Sequence, residues 1–165
     1  MLGEIVSMER SVVVTHSPEE TIELGRSIAK QLQPPVVVLL IGDLGTGKTT
    51  LTKGIASGLG AATEEQVTSP TFTLIHEYAA TAGASHRVYH VDLYRIETLR
   101  ELETLGLDDL LAERAVVIVE WGEKLGAAGK VAWPEGARVE IRLTALNDLE
   151  RNIEIQTKKP AMVTG

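Results

Sequence analysis

A lysine and a threonine at the end of a glycine-rich segment are the residues of this sequence best suited to chemistry. The spacing G-x-x-x-x-G-K-[ST], typical of a phosphate-binding loop, is filled by Gly42, Gly45, Gly47, Lys48 and Thr49. Glycines let backbone N–H groups surround a phosphate, because no Cβ obstructs the approach and φ can be positive. We expect Lys48 to reach the outer phosphates and Thr49 to offer its hydroxyl to Mg²⁺.

The residues on either side of this loop supply the context that the pattern requires. An apolar run, Val36–Ile41, precedes it and predicts a buried strand, and a helix is predicted over 49–59. Leu51, Ile55 and Leu59 give that helix one apolar face, and its N-terminus favours an anion. This context favours a phosphate site over a glycine-rich turn that binds nothing.

Two acidic residues follow apolar strands elsewhere in the chain. Asp92 comes after 88–91, and Glu120 comes after 115–119. Ligands of open parallel sheets lie beyond the carboxyl ends of the strands, so we expect both carboxylates to face the phosphate crevice. One of them can hold Mg²⁺ while the other orients the attacking water, and the sequence leaves their assignment open. The alternative for either residue is a helix cap or a turn.

The N-terminal part predicts a strand over 11–15 followed by a helix. Ser17 is the expected N-cap, Pro18 lies in the first turn, and Glu20 completes a capping box. The helix is predicted to continue until Pro34-Pro35 ends it, which gives a βαβ unit with the strand before the loop.

Alternation of apolar and polar residues predicts two strands, over 71–78 and 87–92, that pair as a hairpin. The hydroxyl-rich residues 68–73 fit an ordinary β-rich run and a nucleotide-dependent switch equally well. An amphipathic helical stretch over 96–112 is interrupted at Gly106, and strands over 139–143 and 153–155 are expected to pair antiparallel. Together these elements predict an α/β protein with the three-layer fold of P-loop NTPases: a mostly parallel central sheet, helices on both faces and antiparallel additions.

Composition indicates a single domain over 1–157 with a frayed tail over 158–165. The 165 residues include no cysteine, which excludes disulfides and thiolate ligands. The longest apolar run is too short to cross a bilayer, so we predict a cytoplasmic protein without a membrane partner. The formal charge of −7 argues against a free-standing nucleic-acid-binding protein.

Other chemically capable side chains carry weaker signals. His86 and His90 lie four apart on a predicted strand, and we interpret them as surface or core residues rather than metal ligands. Arg95 and Arg151 could contact phosphate or a partner. Trp121, next to Glu120, is expected to be a core residue or a packing lid.

Four blocks of the sequence resemble the TsaE family of bacterial P-loop ATPases, formerly called YjeE. In chain order they are Gly-Asp-Leu-Gly-Thr-Gly-Lys-Thr-Thr50, Ser69-Pro-Thr-Phe72, His90-Val-Asp-Leu-Tyr-Arg95 and Val119-Glu-Trp-Gly122. The resemblance implies ATP and Mg²⁺ as cofactors and a role in making threonylcarbamoyladenosine beside the anticodon of tRNA. It also implies TsaB and TsaD as protein partners, with tRNA reached only through that complex.

The same resemblance assigns roles to individual positions. The residues implied to contact ATP are Asp43, Leu44, Gly45, Thr46, Gly47, Lys48, Thr49, Thr50 and Trp121, with Arg151 and 15–21 as looser matches. Mg²⁺ is placed on Thr49 and Glu120, and the catalytic positions are Lys48, Asp92 and Glu120.

Two alternative functions remain at this point. The first is a small-molecule kinase, although such enzymes usually need an arginine-rich lid, and only Arg87, Arg95 and Arg100 are scattered through the relevant region. The second is a nucleotide-gated binding module that does not need hydrolysis. A GTPase is disfavoured because no Asn/Thr-Lys-x-Asp segment occurs.

Overall fold

A mixed sheet runs through the centre of this computed structural model, which describes residues 9–68, 74–78, 87–121 and 137–158. Within these residues the strands are β1 (Arg10–Thr15), β2 (Val36–Ile41), β3 (Ile75–Tyr78), β4 (Arg87–Asp92), β5 (Ala115–Glu120), β6 (Ala137–Ala145) and β7 (Arg151–Lys158). The helices are α1 (Pro18–Ala29), α2 (Lys48–Gly58), α3 (Leu99–Thr104) and α4 (Leu107–Ala112), with a 3-10 turn at Glu64–Gln66. The seven described strands lie in the order β1-β7-β6-β2-β5-β4-β3.

The centre of the sheet is parallel and its two edges are antiparallel. Strand β2 pairs in parallel with both β5 and β6, and β5 pairs in parallel with β4. Strands β3 and β7 each pair antiparallel with their neighbours. The predicted hairpin of β3 with β4 and the predicted pairing of β6 with β7 are therefore confirmed. Because β2, β4 and β5 run the same way, their carboxyl ends meet at one edge of the sheet.

Helices cover both faces of the sheet, as the sequence predicted. Helices α1 and α2 pack over the larger core, which includes Leu24, Ile28, Leu51 and Ile55, all fully buried. On the opposite face α3 and α4 pack over a smaller core, and Gly106 separates them at φ +73°.

Helices α1 and α2 approach each other backbone to backbone. A Cβ added to Gly54 of α2 would lie 2.0 Å from the carbonyl oxygen of Ile22 in α1. Real Cβ atoms do not come that close to another atom, so the contact needs glycine at this position. The helix that follows the glycine-rich loop is thereby held tightly against its neighbour.

Helix α1 begins as predicted but ends earlier. The N–H of Glu20 donates to the Ser17 hydroxyl at 3.1 Å, which is one half of the predicted capping box. The prediction that the helix continues to Pro34-Pro35 is wrong, because α1 ends at Ala29. Tighter turns follow, with the N–H of Gln31 bonded to the carbonyl of Ile28. Leu32 is still buried although it lies beyond the helix, so the helical spacing of apolar residues continues past the end of α1.

Strands β1 and β2 flank α1 and run in the same direction, but they are not neighbours, since β6 and β7 lie between them.

Some of the predictions fall outside the described residues. They concern residues 69–73 of the hydroxyl-rich segment, which include the first part of the predicted strand over 71–78, and His86. Strand β7 extends to Lys158, and 159–165 also lie outside. None of the described helices is both long enough and apolar enough to cross a membrane.

Candidate functional site

The glycine-rich loop joins the end of β2 to the start of α2 at the carboxyl edge of the sheet. Gly47 is the N-cap of α2 and has φ +96°, a conformation that favours glycine. Its carbonyl accepts the first helical hydrogen bond, from the N–H of Leu51 at 2.9 Å. The first N–H groups of any helix have no acceptor within the helix, and a glycine N-cap has no side chain to supply one. The loop therefore presents a helix N-terminus, which favours anions.

Lys48 lies at the first position of α2 and is 5% exposed. Its Nζ donates to the carbonyl oxygens of Gly42 at 2.7 Å and of Asp43 at 2.8 Å. The same ammonium lies 4.1 Å from the centroid of the Trp121 ring, within cation–π distance. Its position is thus fixed both by the loop and by the aromatic residue that follows β5.

The hydroxyl of Thr49 and the carboxylate of Glu120 meet beside the loop. Thr49 Oγ1 lies 3.0 Å from Glu120 Oε1 and 3.3 Å from Oε2. Glu120 is the last residue of β5 and is only 3% exposed. The prediction that this strand-end carboxylate would face the loop is realised in this geometry.

Asp92 is the register partner of Glu120 on the neighbouring strand β4. It is 2% exposed, and its Oδ1 accepts a hydrogen bond from the backbone N–H of Tyr94 at 2.8 Å. Side chains of register partners lie on the same face of a sheet, so both carboxylates belong to the face covered by α2. The two strand ends therefore place both acids beside the loop.

A buried histidine and tyrosine lie behind Glu120. His90 Nε2 is 2.5 Å from Glu120 Oε2, and His90 Nδ1 is 2.9 Å from the hydroxyl of Tyr78. Burial and the nearby charge of Glu120 raise the pKa of Tyr78 to about 12, so its hydroxyl stays protonated at neutral pH. The pKa of His76, whose ring lies 6.3 Å from that of His90, is lowered by burial and then by His90.

Arg151, at the start of β7, joins the β6–β7 turn to the loop. Its guanidinium donates to five backbone carbonyl oxygens, those of Gly45, Thr46, Asn147, Asp148 and Glu150. The loop contacts are 3.1 Å from Nε to Thr46 and 3.2 Å from Nη2 to Gly45. Arg151 thus holds the outside of the loop.

These groups surround one cavity of about 540 Å³. Its lining residues are Leu44, Gly45, Gly47, Lys48, Thr49, Thr50, Asp92, Tyr94, Glu120, Trp121 and Arg151. Nearly all of the residues that the sequence singled out are brought together here. Two of them, Asp43 and Thr46, shape the loop without lining the cavity, and the Thr46 hydroxyl donates to the Asp43 carbonyl at 2.8 Å.

Of the looser sequence matches, Arg151 lines the cavity, whereas Thr15 and Thr21 do not, and neither does Arg95. Thr15 and Thr21 are buried, and their hydroxyls pair with each other at 2.7 Å. Arg95 is exposed and is not among the lining residues. The structure therefore does not bring these three residues to the cavity.

Sequence reasoning missed two residues at the site. His90 was interpreted as a surface or core residue, yet it contacts Glu120 directly. Tyr94 lines the cavity, and its ring centroid lies 5.1 Å from that of Trp121. Both residues belong to the block His90-Val-Asp-Leu-Tyr-Arg95, whose match to a known family was the available signal.

The donors at the loop fit a hard divalent cation. Thr49 offers a hydroxyl oxygen and Glu120 a carboxylate oxygen, and their separation of 3.0 Å lets both groups reach one ion. Mg²⁺ prefers oxygen ligands and is usually held by one or two protein groups together with the phosphates of a substrate. The chemistry of these residues therefore suits Mg²⁺ with a nucleotide.

The mixed sheet, its two helical layers and the strand–loop–helix unit define an α/β protein of the P-loop NTPase fold. The family described as "Threonylcarbamoyl adenosine biosynthesis protein TsaE" matches residues 15–153. The chain belongs to the TsaE family.

Individual relatives agree with this assignment. Three bacterial relatives are each named tRNA threonylcarbamoyladenosine biosynthesis protein TsaE. The protein of Bacillus subtilis is 40% identical over 84% of this chain and 80% of the relative. The protein of Treponema pallidum is 34% identical over 86% of this chain and 97% of the relative. That of Streptomyces coelicolor is 43% identical over 73% of this chain and 76% of the relative. The crystal structure of Bacillus subtilis YdiB aligns with a TM-score of 0.67 at 33% identity, covering 93% of this chain and 88% of YdiB.

Proposed function

We propose that this chain is a Mg²⁺-dependent ATPase of the machinery that makes threonylcarbamoyladenosine in tRNA, and that it acts with TsaB and TsaD. The observation that carries the catalytic part of the proposal is the contact of Thr49 with Glu120 beside the glycine-rich loop. Membership of the TsaE family supports the part that concerns tRNA. The charge of −7 fits a protein that reaches tRNA through partners.

Each group of the cavity has a role in this proposal. Loop N–H groups and the N-terminus of α2 bind the ATP phosphates, and Lys48 adds a positive charge. Thr49 and Glu120 would hold Mg²⁺, which when bound neutralises phosphate charge. Asp92 is left to orient the attacking water, because it is the second buried carboxylate lining the cavity. Trp121 and Tyr94 line one side of the cavity, where an aromatic surface can contact the nucleotide.

The first test is phosphate release from ATP and from GTP, with and without Mg²⁺, by this protein alone and with TsaB and TsaD added. We expect slow, Mg²⁺-dependent turnover of ATP that rises when both partners are present. Fast hydrolysis whose rate does not change when TsaB and TsaD are added would contradict the proposal that the chain acts with these proteins. Phosphoryl transfer to a small acceptor would favour the kinase alternative.

The binding-module alternative needs a separate experiment. Glu120→Gln and Asp92→Asn should keep ATP binding while lowering the rate of hydrolysis by about 100-fold or more. If these variants still support threonylcarbamoyladenosine formation with TsaB and TsaD over many cycles, binding alone is sufficient and the ATPase proposal is wrong.

A further inference from the structure

His90 makes contacts that core packing does not require. It lies opposite Ile118 in the register of β4 with β5, so Glu120 is its diagonal neighbour two residues further along β5 and on the same face. The imidazole is fully buried, and each of its nitrogens has a polar partner. Nε2 contacts Glu120 at 2.5 Å and Nδ1 contacts the hydroxyl of Tyr78 at 2.9 Å.

These two contacts fix the orientation of the ring. An ionised carboxylate only accepts hydrogen bonds, so His90 Nε2 carries a proton and donates to Glu120. Tyr78 holds the opposite edge of the ring from β3, the neighbouring antiparallel strand. Turning the ring over would exchange nitrogen and carbon positions and would break both bonds.

The two oxygens of Glu120 consequently have different surroundings. Oε2 is held by His90 from the interior, whereas Oε1 is the oxygen nearer to the hydroxyl of Thr49, at 3.0 Å. Rotating the carboxylate would break the bond to His90. The histidine therefore keeps Oε1 on the side of the loop, where a hard cation would bind.

We propose that His90 is the positioning residue that presents the Glu120 carboxylate to Mg²⁺, and that Tyr78 anchors His90 for this purpose. This inference rests on the proposed function, because it concerns the same cation. Removing a residue that hydrogen-bonds to a metal ligand typically lowers metal affinity or activity by about 10- to 100-fold.

The test measures Mn²⁺ binding by electron paramagnetic resonance in the presence of a non-hydrolysable ATP analogue. We expect His90→Leu to weaken Mn²⁺ binding by about 10-fold or more, while the affinity for the analogue in EDTA stays unchanged. His90→Gln should restore most of the Mn²⁺ affinity, since its carboxamide N–H can donate to Glu120. If His90 were purely structural, His90→Leu would lower the melting temperature but would not weaken Mn²⁺ binding selectively relative to binding of the ATP analogue.

His76 offers a matched control on the same hairpin. It is the register partner of His90 across β3 and β4, and its ring is near that of His90. His76→Leu should leave Mn²⁺ affinity as in the parent protein. If folded His90→Leu stays within about twofold of the parent, the positioning role is wrong while the proposed function stands. If the parent itself binds no Mn²⁺ with the analogue, the proposed function fails and this inference with it.

Two further measurements test the proposal if the His90→Leu protein does not fold. Tyr78→Phe keeps the ring and removes only the anchor, and we expect a smaller loss of Mn²⁺ affinity, about threefold. In the parent protein, the Nε2–H resonance of His90 should be resolved by NMR and should move strongly upfield in Glu120→Gln. An unchanged resonance would overturn the proposal.

Discussion

The inner and outer sides of the glycine-rich loop are each held by a basic side chain that donates to carbonyl oxygens of the loop, but the other contacts of the two cations differ. On the inner side Lys48 lies under Trp121, close to Thr49 and Glu120. On the outer side Arg151 reaches from the start of β7 and binds carbonyl oxygens of the loop and of the turn over 147–150.

This difference separates two roles. Besides the bonds from Lys48 to the loop backbone, the inner side contains contacts between side chains, so its chemistry depends on residue identity, as in the series Thr49, Glu120, His90 and Tyr78. On the outer side, contacts from Arg151 to the backbone depend on the shape of the turn. We therefore expect changes on the inner side to alter catalysis and metal binding, and changes on the outer side to alter the shape of the loop.

The largest effect is expected from the carboxylates of the inner side. Glu120→Gln and Asp92→Asn should each lower kcat for partner-stimulated ATP hydrolysis by about 100-fold or more, because groups that hold metal or position water contribute on this scale. Affinity for ATP, measured by isothermal titration calorimetry, should change far less. Glu154→Gln, an exposed change on β7, is the matched control. Normal turnover in either variant would remove that carboxylate from the mechanism.

Removal of the inner cation should act on binding. Lys48→Ala is expected to weaken ATP binding by about 10- to 100-fold, because a hydrogen-bonded charge partner of the phosphates is lost. Isothermal titration calorimetry would measure the change. Lys53→Ala, also on α2 but outside the cavity lining, should bind as the parent does. An unchanged affinity in Lys48→Ala would contradict the phosphate-site assignment.

Alkaline pH tests Tyr78, the last residue in the series of side-chain contacts on the inner side of the loop. The pKa of Tyr78 is about 12 in the folded protein against 10.0 for a free phenol. The folded state therefore binds more protons than the unfolded state between these values, and stability falls as pH rises from 10 to 12. The loss attributable to this group is at most about 3 kcal/mol. In urea titrations across this range, Tyr78→Phe should flatten the decline, and Tyr94→Phe should not.

The smallest effect is expected on the outer side. Arg151→Ala should weaken ATP binding by about 3- to 10-fold and lower the melting temperature by about 2–6 °C, since several carbonyl bonds are lost together. Arg151→Lys should not restore the loop, because an ammonium cannot reproduce the planar set of five donors. Arg142→Ala, an exposed change on β6, is the control. If Arg151→Ala reduced kcat as strongly as the carboxylate variants, the division between the two sides would be wrong.

Local sequence patterns predicted the elements whose signals are contained in one segment. The loop, the two strand-end acids and the break at Gly106 all follow from short runs of residues, and the structure has each where it was expected. The end of α1 could not be predicted this way, because Leu32 keeps the apolar spacing although the backbone has already left the helix.

The missing part of the site depends on which strands are neighbours. His90 contacts Glu120 only because β4 lies beside β5 in a particular register, and no pattern around His90 contains that information. Arg151 likewise reaches Thr46 across 105 positions of sequence, through a turn whose first strand, β6, lies beside β2. Strand order is set by the packing of the whole sheet, so a single sequence gives little access to it.

The carbonyl contacts of Arg151 have an electrical consequence for the loop. In a trans peptide the N–H points opposite to the C=O, so the guanidinium attached to the Thr46 carbonyl faces away from the N–H of Gly47. A cation on the oxygen draws electron density along the peptide and makes the N–H on the far side a stronger donor. Arg151 can therefore strengthen anion binding through the peptide groups of the loop that it polarises.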